Sequence, residues 1–242
     1  MAYLKILYLS PSLRESGSVQ ERIDKWSWLP DLLGDDVTLV GRGLMKGSEN
    51  SEGDFDDYAG GGNLVKTIIE VADEGYDAVV IGDTGDPFVS GIREYLNIPV
   101  IGPMEASLHV ATLLGNKFTL ITPAKYMIPR KEKQVENYGF FRQLASVRSL
   151  NMPVSQVSKQ PEKVIELLVE QANKAIDNDG AQVIIQMCGF MVEYYPRIAE
   201  KIGVPVIEPI RTALKTAETL VRLGLTHSKI LYPKPKLKHR II

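Results

Sequence analysis

A cysteine and an aspartate hold the same place in two copies of a repeated stretch. The first copy reads Gly-Tyr-Asp-Ala-Val-Val-Ile-Gly before Asp83, and the second reads Gly-Ala-Gln-Val-Ile-Ile-Gln-Met before Cys188. Each copy then reaches a shorter apolar run, Ile-Pro-Val-Ile at 98–101 and Val-Pro-Val-Ile at 204–207. A duplicated unit predicts two lobes related by an approximate twofold, so we expect Asp83 and Cys188 to face each other across one cleft. Two proton carriers on opposite sides of a small molecule suit stereochemical inversion at carbon.

Cys188 directly follows an apolar run, which predicts the carboxyl end of a strand, where open α/β sheets bind ligands. Pro196 is expected to start the next regular helix, because proline is tolerated in a first turn. Residues 188–195 would then form a turn whose N–H groups, including those of Gly189 and Phe190, stabilise a thiolate or an enolate oxygen. The alternative is a buried cysteine that acts only as a small apolar side chain.

Asp83 has a similar setting, since it ends an apolar run and is followed by Thr84 and Gly85. The N–H groups of these two residues could stabilise an enolate. Asp, Thr and Gly are also common turn residues, so a purely local role for Asp83 is the alternative. Asp86 followed by Pro87 has the pattern of an N-cap and a first helical residue, which predicts that Asp86 caps a helix.

Two hydroxyl side chains precede prolines at corresponding points of the two copies. Ser10 and Thr122 each end the predicted first strand of a copy and could bind a substrate carboxylate, or could act as turn or capping residues. Tyr126 follows Thr122 on the same predicted loop and could offer its phenol to the cleft. A half-buried tyrosine without a role in binding explains it equally well.

No pattern in the sequence indicates a metal or a cofactor. The three histidines show no ligand spacing, and neither a phosphate-binding glycine loop nor a Gly-x-Ser-x-Gly elbow occurs. The chain has 242 residues and a net charge of −2, which gives no reason to expect nucleic acid or an anionic membrane as a partner. A single cysteine excludes an intrachain disulfide and fits a reducing compartment, so we expect a cytoplasmic protein without membrane spans.

Short apolar runs alternate with segments of helical period, which predicts an α/β fold with parallel sheets. The predicted strands are 4–10, 36–41, 77–82, 98–101, 117–122, 143–148, 182–187 and 204–207. We therefore expect two lobes, each with a roughly four-stranded parallel sheet flanked by helices. The predicted boundaries are 1–112 with 210–242 for the N-terminal lobe and 113–209 for the C-terminal lobe. The acidic segment 47–62 ends in three glycines and is predicted to be a mobile loop, with a lid over the cleft as the alternative.

The paired motifs resemble the aspartate/glutamate/hydantoin racemase superfamily, and most closely its hydantoin and allantoin racemase branch. The stretch 77–87, Asp-Ala-Val-Val-Ile-Gly-Asp-Thr-Gly-Asp-Pro, is similar to that family's strand ending in Cys-Phe-Gly-Asp-Pro. The stretch 187–191, Met-Cys-Gly-Phe-Met, is similar to its Gly-Cys-Ala-Gly-Met, and 213–229 resembles its last helix. In that family two opposed cysteines transfer the α-proton without cofactor or metal, and the resemblance implies that Cys188 is one of these carriers. It also implies a homo-oligomer whose substrate is an amino acid or a cyclic, hydantoin-like derivative, a small-molecule carboxylate or hydantoin-like compound.

The chain departs from this family pattern at two places. Asp83 stands where the family has its first cysteine, and Ser-Pro-Ser at 10–12 replaces a typical Asn-Pro-Asn. A carboxylate is a weaker base than a thiolate by four to five pKa units, or about 6 kcal/mol. A carboxylate facing Cys188 would also keep its thiol protonated, which favours one-sided proton donation.

Three functions remain open on the sequence. The first is a racemase or epimerase in which Cys188 and Asp83 form a mixed pair of proton carriers. The second is a decarboxylase or cis–trans isomerase that relies on Cys188 alone, similar to arylmalonate decarboxylase or maleate isomerase. The third is a binding homologue without catalytic activity.

Overall fold

A computed structural model describes residues 3–13 and 16–236. Contacts within the chain divide it into two compact units, Met1–Pro103 with Ala213–Ile242, and Met104–Thr212. Residues 103–112, which the sequence assigned to the first lobe, thus fall almost entirely in the second unit. Within the described ranges, the structure contains no helix with the length and hydrophobicity that a bilayer crossing demands.

Unit 1 is built on a parallel sheet with the order β2-β1-β3-β4. Its strands are β1 (Leu4–Leu13), β2 (Val37–Leu44), β3 (Ala78–Ile81) and β4 (Val100–Ile101), and its helices are α1 (Ser16–Asp24), α2 (Leu29–Leu32), α3 (Asp54–Val71) and α4 (Val89–Tyr95). Leu7, Leu9, Val79 and Ile81 project to one face and pack with apolar residues of α3 and α4. Because both faces of β1 and β3 are buried, their sequences are apolar almost without interruption.

Unit 2 repeats this arrangement with the strand order β6-β5-β7-β8. Its strands are β5 (Phe118–Thr122), β6 (Leu144–Ser149), β7 (Val183–Gln186) and β8 (Val206–Ile207), and its helices are α5 (Pro103–Leu114), α6 (Ile128–Asn137), α7 (Val154–Val157), α8 (Pro161–Asp179), α9 (Tyr195–Ala199) and the start of α10 (Pro209–Arg222). Three-residue 3-10 helices occur at Lys125–Met127 and Phe141–Gln143, and a longer one at Gly189–Tyr194. The predicted fold of two four-stranded parallel sheets flanked by helices is confirmed.

The later part of α10 belongs to unit 1. Arg222 pairs with Asp36 at 2.6 Å and with Glu218 at 2.8 Å, and the Glu218 carboxylate also accepts the Gly34 N–H at 3.3 Å. Lys215 donates to the carbonyl oxygen of Leu32 at 2.9 Å. These contacts fix the last helix against the segment between α2 and β2.

The prediction that 47–62 is a loop is wrong from residue 54 onward, where α3 begins. Acidic residues in the first turn of α3 favour a helix N-terminus, and the Glu52 N–H donates to Asp56 at 2.9 Å. The glycines lie inside the helix, and two of them are buried. A Cβ on Gly61 would lie 2.9 Å from the Phe88 ring, so glycine here permits close packing of the helix and does not mark a hinge.

Candidate active site

In unit 1 the end of β3 is held tightly against β1. A Cβ on Gly82 would lie 2.5 Å from Cζ of Tyr8, so only glycine lets this strand pass so close to the ring. The Tyr8 hydroxyl donates to the Gly82 carbonyl oxygen at 3.3 Å, and Arg22 donates to that hydroxyl at 3.1 Å. The residue that follows, Asp83, therefore starts from a fixed backbone position.

Asp83 folds the turn that follows it. Its Oδ1 accepts the Gly85 N–H at 2.6 Å, and its carbonyl oxygen accepts the Asp86 N–H at 3.2 Å. Asp83 is partly exposed, whereas Thr84 and Gly85 are buried. The local role that the sequence offered for Asp83 is therefore present, and its part in proton transfer stays a prediction.

Asp86 does not cap the next helix, so that prediction was wrong. Helix α4 begins at Val89, and the residue before it, Phe88, has a left-handed backbone with φ 59°. Asp86 is also left-handed, with φ 50°, and its side chain is buried. Its carboxylate occupies the space that a Cβ on Gly102 would need. The Asp86 side chain therefore packs against Gly102, the residue that follows β4, and Asp86 is not the N-cap of α4.

Ser10 was expected to end a strand, but β1 continues to Leu13. The pairing of β1 with β2 is irregular between Leu9 and Leu13, so Ser10 lies in a distorted part of the strand. Ser10 and Ser12 are both buried. The sequence had placed the end of the strand at the Ser10–Pro11 step, because proline lacks an N–H for ladder pairing.

In unit 2 Cys188 follows β7 and precedes the 3-10 helix Gly189–Tyr194. Its backbone is extended, with φ −161°, and its carbonyl oxygen accepts the Met191 N–H at 3.0 Å. The residues that were expected to form a turn therefore form a short regular helix. Pro196 lies in the first turn of α9, as predicted. The first N–H groups of any helix have no partner within it, so those of Gly189 and Phe190 start the 3-10 helix without an intrahelical acceptor.

The Cys188 side chain is 6% exposed and belongs to an apolar cluster with Met191 and Ile198. Burial raises the pKa of the nearby Tyr194 phenol, and charge on Glu193 and Cys188 raises it further. The thiol is thus packed among apolar side chains and lies close enough to Tyr194 to influence its titration. Both alternatives, a buried structural thiol and a proton carrier, are compatible with this position.

Thr122 ends β5 as predicted and is fully buried, and its hydroxyl donates to the Met127 sulfur at 3.4 Å. A thioether is a weak acceptor, so the hydroxyl could exchange it for a stronger one. Tyr126 lies in the 3-10 helix Lys125–Met127 and is largely exposed. The structure therefore places Thr122 and Tyr126 on the same segment in different environments.

The sequence reasoning missed two buried polar residues beside Cys188. Gln186 ends β7, and Glu208 follows β8 on the neighbouring strand. The Glu208 Oε2 accepts the Arg211 N–H at 2.7 Å, and burial raises the pKa of Glu208 to about 7. A comparison of the two copies could have identified both residues, because the second copy has polar Gln186 and Glu208 where the first has Ile81 and Gly102.

Among the described residues, no group of three or more His, Cys, Asp or Glu side chains is placed to hold a metal ion. Acidic groups that follow strands include Asp83 and Asp86 in unit 1, and Cys188 and Glu208 in unit 2.

Two α/β units, each built on a four-stranded parallel sheet with the same strand order, define an α/β protein with a duplicated architecture. The family described as Asp/Glu/Hydantoin racemase matches residues 27–217. The chain belongs to this family, and it is an isomerase. The resemblance found in the sequence is confirmed at the level of the family and of its hydantoin branch.

The chain is 31% identical over 204 residues to a hydantoin racemase of Pseudomonas sp. (strain NS671), which covers 83% of this chain and 82% of that protein. The crystal structure of an allantoin racemase from Pseudomonas fluorescens is similar with a TM-score of 0.89 and 31% identity, over 98% of this chain and all of that one. Arylmalonate decarboxylase, in its unliganded structure, has a TM-score of 0.63 and 17% identity over 90% of this chain and 92% of that one. That similarity concerns the fold alone.

Proposed function

We propose that the protein racemises a hydantoin-like cyclic amino-acid derivative at its α-carbon, with Cys188 and Asp83 as the two proton carriers. The observation that carries the proposal is the position of Cys188, two residues after the end of β7 and at the N-cap of a 3-10 helix, in a chain similar to hydantoin and allantoin racemases. Asp83 has the matching position in the first copy of the repeat. Both side chains can hold or release one proton.

The reaction needs no electron carrier. One carrier takes the α-proton, and the electron pair of the C–H bond moves toward the adjacent carbonyl oxygen to give an enolate. The other carrier then delivers a proton to the opposite face of the same carbon, and the carbonyl is restored. In one direction Cys188 is the donor and Asp83 the base; in the other direction the roles are reversed, so each carrier ends the turnover in the opposite protonation state.

A pair of carriers made of Cys188 and Asp83 suits a substrate whose α-hydrogen is strongly acidic. A carboxylate is a weaker base than a thiolate by about 6 kcal/mol. An α-hydrogen that lies next to a ring carbonyl, as in a hydantoin, is more acidic than that of a free amino-acid carboxylate. The pairing of Asp83 with Cys188 therefore favours a cyclic derivative over a free amino acid.

Backbone N–H groups are proposed to stabilise the enolate oxygen. Gly189 and Phe190 begin a helix and can offer their N–H groups. Thr84 and Gly85 are proposed for the same task, although the Gly85 N–H donates to Asp83 in this structure and a substrate oxygen would compete with that bond. A shift of Asp83 toward a substrate proton would release the Gly85 N–H at the same time.

The polar groups of the substrate are proposed to contact hydroxyl side chains. Ser10 and Thr122 lie buried at corresponding points of the two copies, and the hydroxyl of Thr122 donates to the Met127 sulfur, a weak acceptor. Tyr126 is exposed on the same segment as Thr122. Alanine at Ser10 or Thr122 should raise KM more than it lowers kcat, because these side chains do not carry the transferred proton.

Isotope exchange tests the two carriers separately. Each enantiomer of a 5-monosubstituted hydantoin is incubated in heavy water with the wild type, with Cys188→Ala and with Asp83→Asn. The wild type should incorporate deuterium into both enantiomers and abolish optical activity. Each variant should lose racemisation, and each should retain exchange, if any, for only one enantiomer. The two variants should differ in which enantiomer that is, because each retains a different base.

A reaction without enzyme at the same pH corrects for spontaneous racemisation, and thermal melting shows whether each variant is folded. Cys188→Ser serves as a matched control that keeps the size of the side chain. Racemisation that persists in Cys188→Ala above a few per cent of the wild-type rate would refute the role of the thiol. Release of carbon dioxide from an aryl malonate, consumption of maleate, or binding of these compounds without turnover would indicate one of the other two functions.

We also propose that the chain self-associates through α3. Five exposed positions of this helix, spaced three and four residues apart, form a seam of the kind that packs against another helix: Phe55, Tyr58, Gly62, Val65 and Ile69. The seam is symmetric about Gly62, where two backbones can approach closely, so an antiparallel second copy would place the aromatic end of one helix against the aliphatic end of the other.

Sedimentation velocity tests this surface. Phe55 is 84% exposed on α3, and Leu113, which is not part of the seam, is 83% exposed on α5. Phe55→Asp should dissociate the assembly, whereas Leu113→Asp should leave it intact. Equal behaviour of the two variants would exclude the α3 seam as the interface.

The compartment is also proposed to be the cytoplasm, because the proposed function needs the thiol of Cys188 in its reduced form and reducing conditions maintain it. Oxidation of a thiolate to sulfenic acid would remove the proton carrier. Fractionation of cells that express the full chain would test this location directly.

A further inference from the structure

The residues Gln186 and Glu208 form a buried pair on neighbouring strands. The pairing of β7 with β8 joins Ile184 to Val206 and Ile185 to Ile207, so Gln186 and Glu208 are the next residues in register. Gln186 is 0% exposed and Glu208 is 2% exposed. Two long polar side chains are thus enclosed side by side, one strand apart, at the sheet end that carries Cys188.

Each member of the pair has one oxygen that accepts no hydrogen bond. The Gln186 Nε2 donates to the Met191 carbonyl oxygen at 3.3 Å, and the Glu208 Oε2 accepts from the Arg211 N–H at 2.7 Å. The remaining oxygens, Oε1 of Gln186 and Oε1 of Glu208, are both buried without a partner. A buried acceptor without a donor is costly.

A single proton resolves both deficiencies. A protonated carboxyl group is a donor, and the amide oxygen beside it is an acceptor. We propose that Glu208 is protonated in the working protein and that its hydroxyl donates to the Oε1 of Gln186. Glu208 then acts as a positioning residue for Cys188, a consequence that rests on the proposed function.

The electrostatic surroundings agree with a neutral Glu208. Burial raises its pKa to about 7, although the N–H groups of Arg211 and Ile210, the charge of Arg211 and the Gln186 amide all act to lower it. On α10 the charged group that bears on Glu208 is Arg211, whose guanidinium also lies 4.9 Å from the Tyr195 ring centroid. On β7 the facing group is the neutral amide of Gln186. The opposing influences leave burial as the dominant one.

The pair is connected to the thiol through the backbone of the 3-10 helix. Gln186 donates to the carbonyl oxygen of Met191, and the N–H of Met191 donates to the carbonyl oxygen of Cys188 at 3.0 Å. Ionised Glu208 has no proton to donate to the Gln186 Oε1, so the Gln186 amide would be held by the Met191 carbonyl oxygen alone and this chain of hydrogen bonds would loosen. The turn that presents Cys188 should therefore be tight below the pKa of Glu208 and looser above it.

Infrared difference spectroscopy tests the proton directly. The difference between the wild type and Glu208→Gln at about pH 6 should contain the carbonyl stretch of a protonated carboxylic acid, and this band should disappear as the pH rises through about 7. The glutamine variant is a matched control, because its amide can donate to Gln186 at every pH. If it fails to fold, the pH titration of the wild-type spectrum alone still reports the band. Absence of the band would overturn the proposal.

Alkylation of Cys188 tests the positioning role without any substrate. Because this is the single thiol of the chain, its rate of modification reports one residue. In the wild type the rate should rise more steeply than tenfold per pH unit near pH 7, because thiolate formation and loosening of the turn coincide. Glu208→Gln should rise no more steeply than a single ionisation allows. Identical alkylation profiles of the wild type and Glu208→Gln would refute the positioning role. A wild-type protein that shows the carboxylic-acid band but has no racemase activity would count against the proposed function alone.

Discussion

Alanine at two adjacent glycines of α3 should have opposite effects on stability. Gly61 and Gly62 both lie inside Asp54–Val71, where glycine costs a helix about 0.5–1 kcal/mol relative to alanine. A Cβ on Gly62 would meet no atom within 4 Å. Gly62→Ala should therefore raise the free energy of unfolding by about 0.5–1 kcal/mol, with nothing in the fold to oppose the gain.

The same substitution at Gly61 meets a neighbour. Its Cβ would lie 2.9 Å from Cζ and 3.2 Å from Cε1 of Phe88. The ring has to move by several tenths of an ångström, and overpacking of this kind costs about 1–3 kcal/mol. After the gain in helix propensity is subtracted, Gly61→Ala should lower the free energy of unfolding by up to about 2 kcal/mol. Because Phe88 adjoins the turn of Asp83, racemase activity should fall as well.

Urea denaturation followed by circular dichroism measures both effects, and an unchanged m-value would show that the unfolded states are comparable. Each variant serves as the control of the other, since the chemical change is identical and the positions are adjacent. If both variants gained the same stability, the contact between α3 and Phe88 would be refuted. If both lost stability equally, residues 61 and 62 would not be helical.

Three further outcomes follow from buried or paired carboxylates. The pKa of Glu208 is about 7 against an ordinary 4.5, so its neutral form favours the fold. The free energy of unfolding should therefore decrease by about 3 kcal/mol as the pH rises from 4.5 through 7. The urea midpoint should show this decrease in the wild type and not in Glu208→Gln. Gly102→Ala should destabilise by about 1–3 kcal/mol, because its Cβ would occupy the space of the Asp86 carboxylate, and Asp86→Gly in the same chain should restore the melting temperature. Hydrogen bonds from Arg148 hold the pKa of Asp179 below its usual range, so that pair stabilises the fold above the ordinary pKa of 3.8 and is lost on acidification; Asp179→Asn should cost about 1–2 kcal/mol at neutral pH and show less acid sensitivity in denaturation at low pH.

The strands could be predicted from the sequence because both faces of the sheets are buried. Runs such as Val79–Ile81 and Val183–Ile185 have no polar residue, since helices cover the sheet on either side. The position of Cys188 followed from the same reasoning, because the residue after such a run must lie at the carboxyl end of a strand. Burial of a whole strand affects all of its residues, so it can be recognised from the apolar composition of the segment.

The helix at Asp54–Val71 could not be predicted from local rules. Three consecutive glycines usually mark a loop, and their role here depends on Phe88 and on the carbonyl oxygen of Pro11, 3.4 Å from a Cβ on Gly60. The burial of Asp86 could not be predicted for the same reason. Its carboxylate packs against Gly102, which is distant in the sequence. Individual contacts between remote residues leave no periodic pattern.

A buried carboxyl group lies beside the residue that follows the last strand of the repeat in unit 1, and belongs to that residue in unit 2. In unit 1 it belongs to Asp86, three residues after Asp83, and it fills the space beside Gly102. In unit 2 the residue equivalent to Gly102 is Glu208, which carries the carboxyl group itself, and the residue equivalent to Asp86 is Met191. Gly102 leaves room for the carboxyl group of Asp86. At the equivalent position of the second copy, Glu208 supplies the carboxyl group from its own side chain. The two copies thus place a buried carboxyl group at the ends of corresponding strands, from the turn after β3 in unit 1 and from the residue after β8 in unit 2.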